Sequence, residues 1–167
     1  MPRRPRAALS DRAGRPGFLS SAERPVTHDF PSGQSILVVD DTHVVRRAAF
    51  RMLSEAGYRV FEAGSVAEAL EVLGTAKQPV SLVLADVVMP DMSGVDLARL
   101  VHDQWPRVPV LFMSAYGAEV LVQEGAEQTN VEFLGKPFTR DELLEKVAAT
   151  IRKYPKRNGE QSRSERA

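Results

Sequence analysis

From residue 35 onward the chain alternates two rhythms: short, continuously apolar runs, and longer stretches in which apolar residues return every three or four positions. ILVV (36–39) is the first of the short runs, and it stops on Asp40 and Asp41. THVVRRAAFRMLSEAG follows, placing Val44, Val45, Ala48, Ala49, Met52, Leu53 and Ala56 on one helical stripe, with Gly57 as its stop. YRVFEA (58–63) reads as a strand. SVAEALEVLG then opens with Ser65 and Glu68 at capping-box spacing, and a helix closing on Gly74 is predicted. SLVLAD (81–86) is a third strand, after which Ser93 and Asp96 open a helix that ends before Pro106. VPVLFMS (108–114) and VEFLG (131–135) supply the fourth and fifth strands. Thr139 and Glu142 cap a last helix that buries Leu143, Leu144, Val147 and Ile151, with acids in its first turn and Arg152 and Lys153 in its last. Over 118–130, AEVLVQEGAEQTN leaves a short fourth helix open, because Gly125 interrupts it and no strong stop follows.

Strands that are apolar throughout and alternate with helices call for an α/β fold with a parallel sheet covered on both faces. In such open sheets, ligands bind outside the carboxyl ends of the strands. At those ends stand Asp40 and Asp41 after strand 1, Asp86 on strand 3, Ser114 on strand 4, and Lys136 with Pro137 after strand 5. Two carboxylates about 4 Å apart repel by about 4 kcal/mol at an effective dielectric of about 20, and a third adds to that cost. Something positive must compensate. Lys136 offsets one charge, and the remaining cluster of oxygen ligands suits a hard divalent ion that keeps several waters, Mg²⁺ rather than zinc.

Composition narrows the setting. With 167 residues, 43% of them hydrophobic, the chain is long enough for one domain of ordinary size. It has no cysteine, so neither disulfides nor a thiolate zinc site can form. No apolar run approaches the roughly 18 residues of a membrane span and the N-terminus lacks a secretory core, so a soluble, cytoplasmic protein is expected. Zero net charge hides an uneven distribution: residues 33–151 hold ten basic against seventeen acidic side chains, whereas 1–32 carry six arginines against three acids. Residues 152–167 carry six basic side chains against two glutamates. The arms at 1–32 and 154–167 lack apolar periodicity and read as disordered and solvated. Interleaved aromatics are missing, so direct DNA binding is not expected.

Asp40-Asp41, Asp86 within DVVMPDMSG, Ser114 in MSAYG and Lys136-Pro137, in this order and each at a strand terminus, resemble the receiver domain of two-component response regulators. The likeness covers 33–153, and DVVMP with MSAYG is most similar to receivers of hybrid sensor histidine kinases. It implies a flavodoxin-like (βα)₅ doubly wound sheet of order 2-1-3-4-5. It also implies that Asp86 accepts a phosphoryl group from a sensor histidine kinase or a histidine phosphotransfer protein, and that the resulting switch is read by a downstream protein partner not named by the sequence. By the same resemblance Asp41 is a direct Mg²⁺ ligand, Asp40 a ligand acting mostly through water, and the backbone carbonyl of Val88 a further one, with Asp86 completing the set. Lys136 corresponds to the cation that pairs with Asp86 and then with the phosphoryl group, and Ser114 to the hydroxyl that bonds that group. The switch aromatic falls at Phe133, which lacks a hydroxyl and could serve either by packing or as an ordinary core residue. A cis Lys136-Pro137 bond rests on the family alone.

No kinase, ATP-site or DNA-binding segment is visible, so a stand-alone response regulator, not an enzyme in its own right, is expected. Two rival readings meet obstacles in the sequence. A Mg²⁺-dependent phosphohydrolase with an aspartyl nucleophile would need an acid two residues after Asp86, where Val88 stands. A pseudo-receiver that docks partners without phosphorylation would be expected to lose the five positions that are intact here. Val88 and Tyr116 are also the positions expected to tune the phosphoryl lifetime, since neither side chain is suited to orient an attacking water.

Overall fold

The computed structural model describes residues 33–125 and 131–155. The arm expected over 1–32, most of the 154–167 arm, and residues 126–130 of the ambiguous stretch lie outside them.

Among the described residues ten elements follow one another in strict alternation: β1 (Ser35–Val39), α1 (His43–Glu55), β2 (Arg59–Ala63), α2 (Val66–Thr75), β3 (Leu82–Asp86), α3 (Gly94–Gln104), β4 (Val110–Ser114), α4 (Glu119–Gln123), β5 (Glu132–Gly135) and α5 (Arg140–Lys153). The five strands are parallel and ordered β2-β1-β3-β4-β5, as the family resemblance implied. Why the runs 36–39 of β1 and 82–85 of β3 are continuously apolar is explained by where their side chains go. Ile36, Val38, Leu82 and Leu84 pack with Leu53 of α1 and Leu143, Leu144 and Val147 of α5 on one face. Leu37, Val39, Val83 and Ala85 pack with Ala69 and Leu73 of α2 and Leu97 and Val101 of α3 on the other. β2, at an edge, needs no such uniformity and keeps Arg59 exposed. Among the described residues no helix is long and apolar enough to cross a membrane.

Gly57 ends α1 as its position predicted. At φ +94 it takes the left-handed conformation. Its amide then bonds the Ser54 carbonyl at 3.0 Å, and the Tyr58 amide bonds that of Leu53 at 3.1 Å, which satisfies the last turn. Gly74 does not act this way. α2 runs through it to Thr75, because a glycine stops a helix only when it leaves helical backbone, and the φ of Gly74 is not positive. Val44 is a second correction: it is 75% exposed. Nine residues separate it from buried Leu53, about two and a half turns at roughly 3.6 residues each, so the two point to opposite sides of α1. α4 proves to be a helix of five residues, and Gly125 beyond it has φ +83.

Caps on three helices follow the predicted residues. Ser65 accepts from the Glu68 amide, although the Glu68 carboxylate reaches Gly64 rather than Ser65 itself. Ser93 accepts from the Asp96 amide. Only Thr139 and Glu142 make the full reciprocal box: the Thr139 hydroxyl accepts from the Glu142 amide and the Glu142 carboxylate accepts from the Thr139 amide at 2.7 Å. That hydrogen bond holds the Glu142 carboxyl below its ordinary range. Thr139→Ala removes the hydroxyl that accepts from the Glu142 amide, and the loss of this N-cap should lower unfolding stability by about 1 kcal/mol in denaturant melts.

Candidate functional site

β3 lies in the middle of the sheet, so its carboxyl end is flanked by those of β1 and β4. Register aligns them: Val39 pairs with Ala85, Asp86 with Met113, and Ser114 with Gly135. The next residue on β1 is Asp40, and the next on β5 is Lys136. Four segments far apart in sequence thus deliver polar side chains to one edge of an otherwise apolar core.

Asp40 is fully buried, Asp86 nearly so, and Asp41 is exposed. Their carboxylate oxygens can be chosen to lie within 4.8 Å of one another, which makes an acidic pocket able to hold a metal ion. Its donors are all hard oxygens, the set a divalent cation such as Mg²⁺ prefers. Lys136 also reaches this cluster. Its ammonium lies 2.6 Å from Asp40 Oδ2 and 3.2 Å from Asp86 Oδ1, so it is shared between the two carboxylates and sits closer to Asp40. The Lys136-Pro137 bond is cis, and the Lys136 amide donates to the Ser114 carbonyl at 2.8 Å.

Burial raises the Asp86 carboxyl above its ordinary range; Lys136 opposes that shift, while Asp40 and Asp41 reinforce it. Asp40 has a second partner in addition to Lys136, since its Oδ1 accepts from the Thr42 amide at 2.7 Å. The buried Ser114 hydroxyl, on the last residue of β4, accepts from the Tyr116 amide at 3.0 Å.

The remaining candidates lie around this centre. Val88 follows Asp86 by two residues with its side chain 43% exposed, and Tyr116 is 73% exposed. Phe133 is partly buried and packs against the cluster of Val87, Val95, Phe112, Val120 and Leu121. Val87 is the neighbour of Asp86, so Phe133 shares a packed cluster with the segment that directly follows the central carboxylate. Trp105, the C-cap at the far end of α3, is partly buried and stands apart from this centre.

Gly94 is a site residue that the sequence reading did not single out. A Cβ built on it would stand 2.1 Å from the Asp86 carbonyl oxygen and 3.2 Å from Val87 Cα. The first turn of α3 is thereby pressed directly against the backbone of Asp86, and the Gly94 amide donates to the Val87 carbonyl at 2.9 Å. One signal was available: a glycine at the first helical position, after a serine cap that already supplies the turn chemistry.

Over residues 36–148 the chain matches the family model described as the response regulator receiver domain. It is 33% identical over 125 residues to the sensor kinase CckA of Brucella abortus, covering 75% of this chain and 13% of that protein. It is 32% identical over 112 residues to the response regulator receiver protein CpdR of the same organism, covering 67% of this chain and 92% of CpdR. The chain therefore spans a minor part of some relatives and nearly all of others. Among solved structures, the chemotaxis response regulator CheY4 of Vibrio cholerae superposes with a TM-score of 0.63 at 28% identity, over 70% of this chain and 98% of that one.

Proposed function

Since the chain belongs to the response regulator receiver domain family, whose members are phosphoacceptors in signalling, we propose that Asp86 takes a phosphoryl group from a phosphohistidine on a sensor histidine kinase or histidine phosphotransfer protein. The observation that carries this reading is a nearly buried carboxylate at the centre of the strand ends, with two further carboxylates and the Lys136 ammonium around it. An oxygen of Asp86 forms a bond to phosphorus as the phosphorus–nitrogen bond of the donor breaks, and the departing imidazole keeps the electron pair.

Asp40, Asp41, Asp86 and the Val88 carbonyl would hold Mg²⁺, which neutralises charge on the transferred oxygens. Lys136, shared between two carboxylates, is placed to follow the charge from Asp86 to a phosphoryl oxygen. Ser114 supplies a hydroxyl to the phosphoryl group. Its loss of the Tyr116 amide contact, or a change in the packing of Phe133, would carry the event outward to a protein partner. Incubation with a small acyl-phosphate donor and Mg²⁺, followed by peptide mapping, should place one phosphoryl group on Asp86. Chelation of the metal should suppress it, and a phosphoryl group on any other residue would refute the assignment. Mg²⁺ at about 100 times its dissociation constant should also stabilise the fold by about 2.7 kcal/mol, a response that Asp41→Asn should largely lose.

The lifetime of the acyl phosphate is set by how well an in-line water is oriented. Neither Val88 nor Tyr116 offers a carboxylate or amide to orient it, so we assign a long-lived phosphoryl group to this protein. Val88→Asn combined with Tyr116→Glu should quicken phosphate loss in a donor-free chase containing Mg²⁺. Decay no faster than wild type would remove these positions from the account.

A further inference from the structure

Every polar group of Asp40 is engaged. Its amide donates to the Ala63 carbonyl at 3.2 Å, Oδ1 accepts from the Thr42 amide, and Oδ2 accepts from Lys136. Its backbone carbonyl accepts from Arg46 Nη1 at 2.6 Å. This last contact has no part in the phosphoacceptor scheme above. Arg46 stands in the first turn of α1, yet its side chain is only 16% exposed. Glu62 on β2 draws it inward: Arg46 Nε lies 3.6 Å from Glu62 Oε1, while Glu62 Oε2 holds the more exposed Arg47 at 2.7 Å. Gly64 completes the lodging, since a Cβ there would stand 3.4 Å from Arg46 Nη1.

The carbonyl of Asp40 and the amide of Asp41 belong to one rigid planar unit. Fixing that carbonyl fixes the direction in which the chain leaves β1, and therefore where the exposed Asp41 carboxylate stands. We infer that Arg46 is a positioning residue that, by clamping the Asp40 carbonyl, sets the Asp41 carboxylate for a divalent cation at the acidic pocket. The inference rests on the metal-assisted receiver reading given above and extends it to a side chain that touches neither metal nor phosphate. A guanidinium suits the task because its fork can engage Glu62 and the carbonyl at once.

Charge and position make opposite demands on this residue. By charge alone Arg46 repels a nearby Mg²⁺, so its removal should tighten metal binding. By position its removal should loosen binding, as losses of residues that orient metal ligands do, by about tenfold or more.

The test is calorimetric titration of the full chain with Mg²⁺, together with amide hydrogen exchange of the metal-free protein, for wild type, Arg46→Met and Arg47→Met. Arg46→Met is expected to bind Mg²⁺ about tenfold more weakly, or worse, and to exchange the Asp41 amide faster. Arg47→Met removes an equal charge from the same face without touching Asp40, and should bind as tightly as wild type or more tightly. Mg²⁺ affinity of Arg46→Met at or above wild type, or an unchanged exchange rate at Asp41, overturns the inference. Should Arg46→Met fail to melt cooperatively, Arg46→Lys keeps the charge but cannot span both partners, and the same two readouts decide. A wild type that binds no Mg²⁺ would overturn the reading of the site instead, while exchange at Asp41 would still decide the placement.

Discussion

Asp86→Asn is expected to abolish phosphoryl transfer completely and, in the absence of metal, to raise the melting temperature. The first effect follows from chemistry, because an amide lacks the anionic oxygen that attacks phosphorus. The second follows from linkage. Burial and the neighbouring carboxylates raise the Asp86 carboxyl above its ordinary range despite Lys136. The folded chain therefore holds that proton more tightly than the unfolded chain does, and stability falls as pH rises from the unfolded to the folded value. Above both values the ionised carboxylate is a standing cost, which the isosteric amide removes. Lys136 keeps Asp40 as its nearer partner, so the substitution leaves no buried ammonium unpaired. Intact mass after incubation with a phosphodonor should show no shift, and thermal melts between mildly acidic and neutral pH should show a flatter decline than wild type. A phosphoryl group retained by the variant, or a lower melting temperature without metal, would contradict the respective half of this account.

Gly94→Ala should have the largest effect on stability of any single methyl group added near the site. The new Cβ would meet the Asp86 carbonyl oxygen at 2.1 Å. That neighbour is backbone and cannot rotate away, so either α3 or the end of β3 must move. Overpacking of this kind costs about 3 kcal/mol or more when the backbone has to yield. Gly74 provides the contrast, since nothing lies within 4 Å of a Cβ built there and its backbone is helical. Gly74→Ala should accordingly stabilise the protein by about 0.5–1 kcal/mol. Denaturant unfolding of the two variants separates the explanations: a conformational role for both glycines predicts shifts of the same sign, whereas a steric role for Gly94 predicts opposite ones. Gly94→Ala should also slow phosphorylation of whatever fraction folds, because the displaced backbone carries Asp86.

What the sequence disclosed and what it withheld divide along a physical line. Strands were legible because a sheet covered on both faces demands the continuous apolar runs 36–39, 82–85 and 110–113, set apart from the three-to-four-residue spacing of the helices. The polar residues of the site were legible because they break that pattern at the strand ends. Helix stops were legible only in part: Gly57 and Gly74 look alike in sequence, and the difference lies in whether the residues beyond them pull the chain into a left-handed turn. Val44 was misplaced because a valine in the first turn of a helix scores as apolar wherever it points. Gly94 and Arg46 stayed hidden for another reason. Each matters through contact with a backbone carbonyl, of Asp86 or of Asp40, and a carbonyl leaves no trace in the identity of the residue that bears it.

The ion pair between Lys136 and Asp40 joins residues 96 positions apart. A ribosome therefore releases the acidic half of this arrangement long before the basic half. Until β5 arrives, a nascent chain that closes its sheet around β1 and β3 would enclose Asp40 and Asp86 with no ammonium between them, and burying such unpaired charge is costly. Early collapse is thus discouraged at the edge that carries the acidic pocket. Completion of the sheet and formation of a balanced acidic pocket become linked events, because the residue that makes the pocket electrostatically tolerable directly follows the last strand of the sheet.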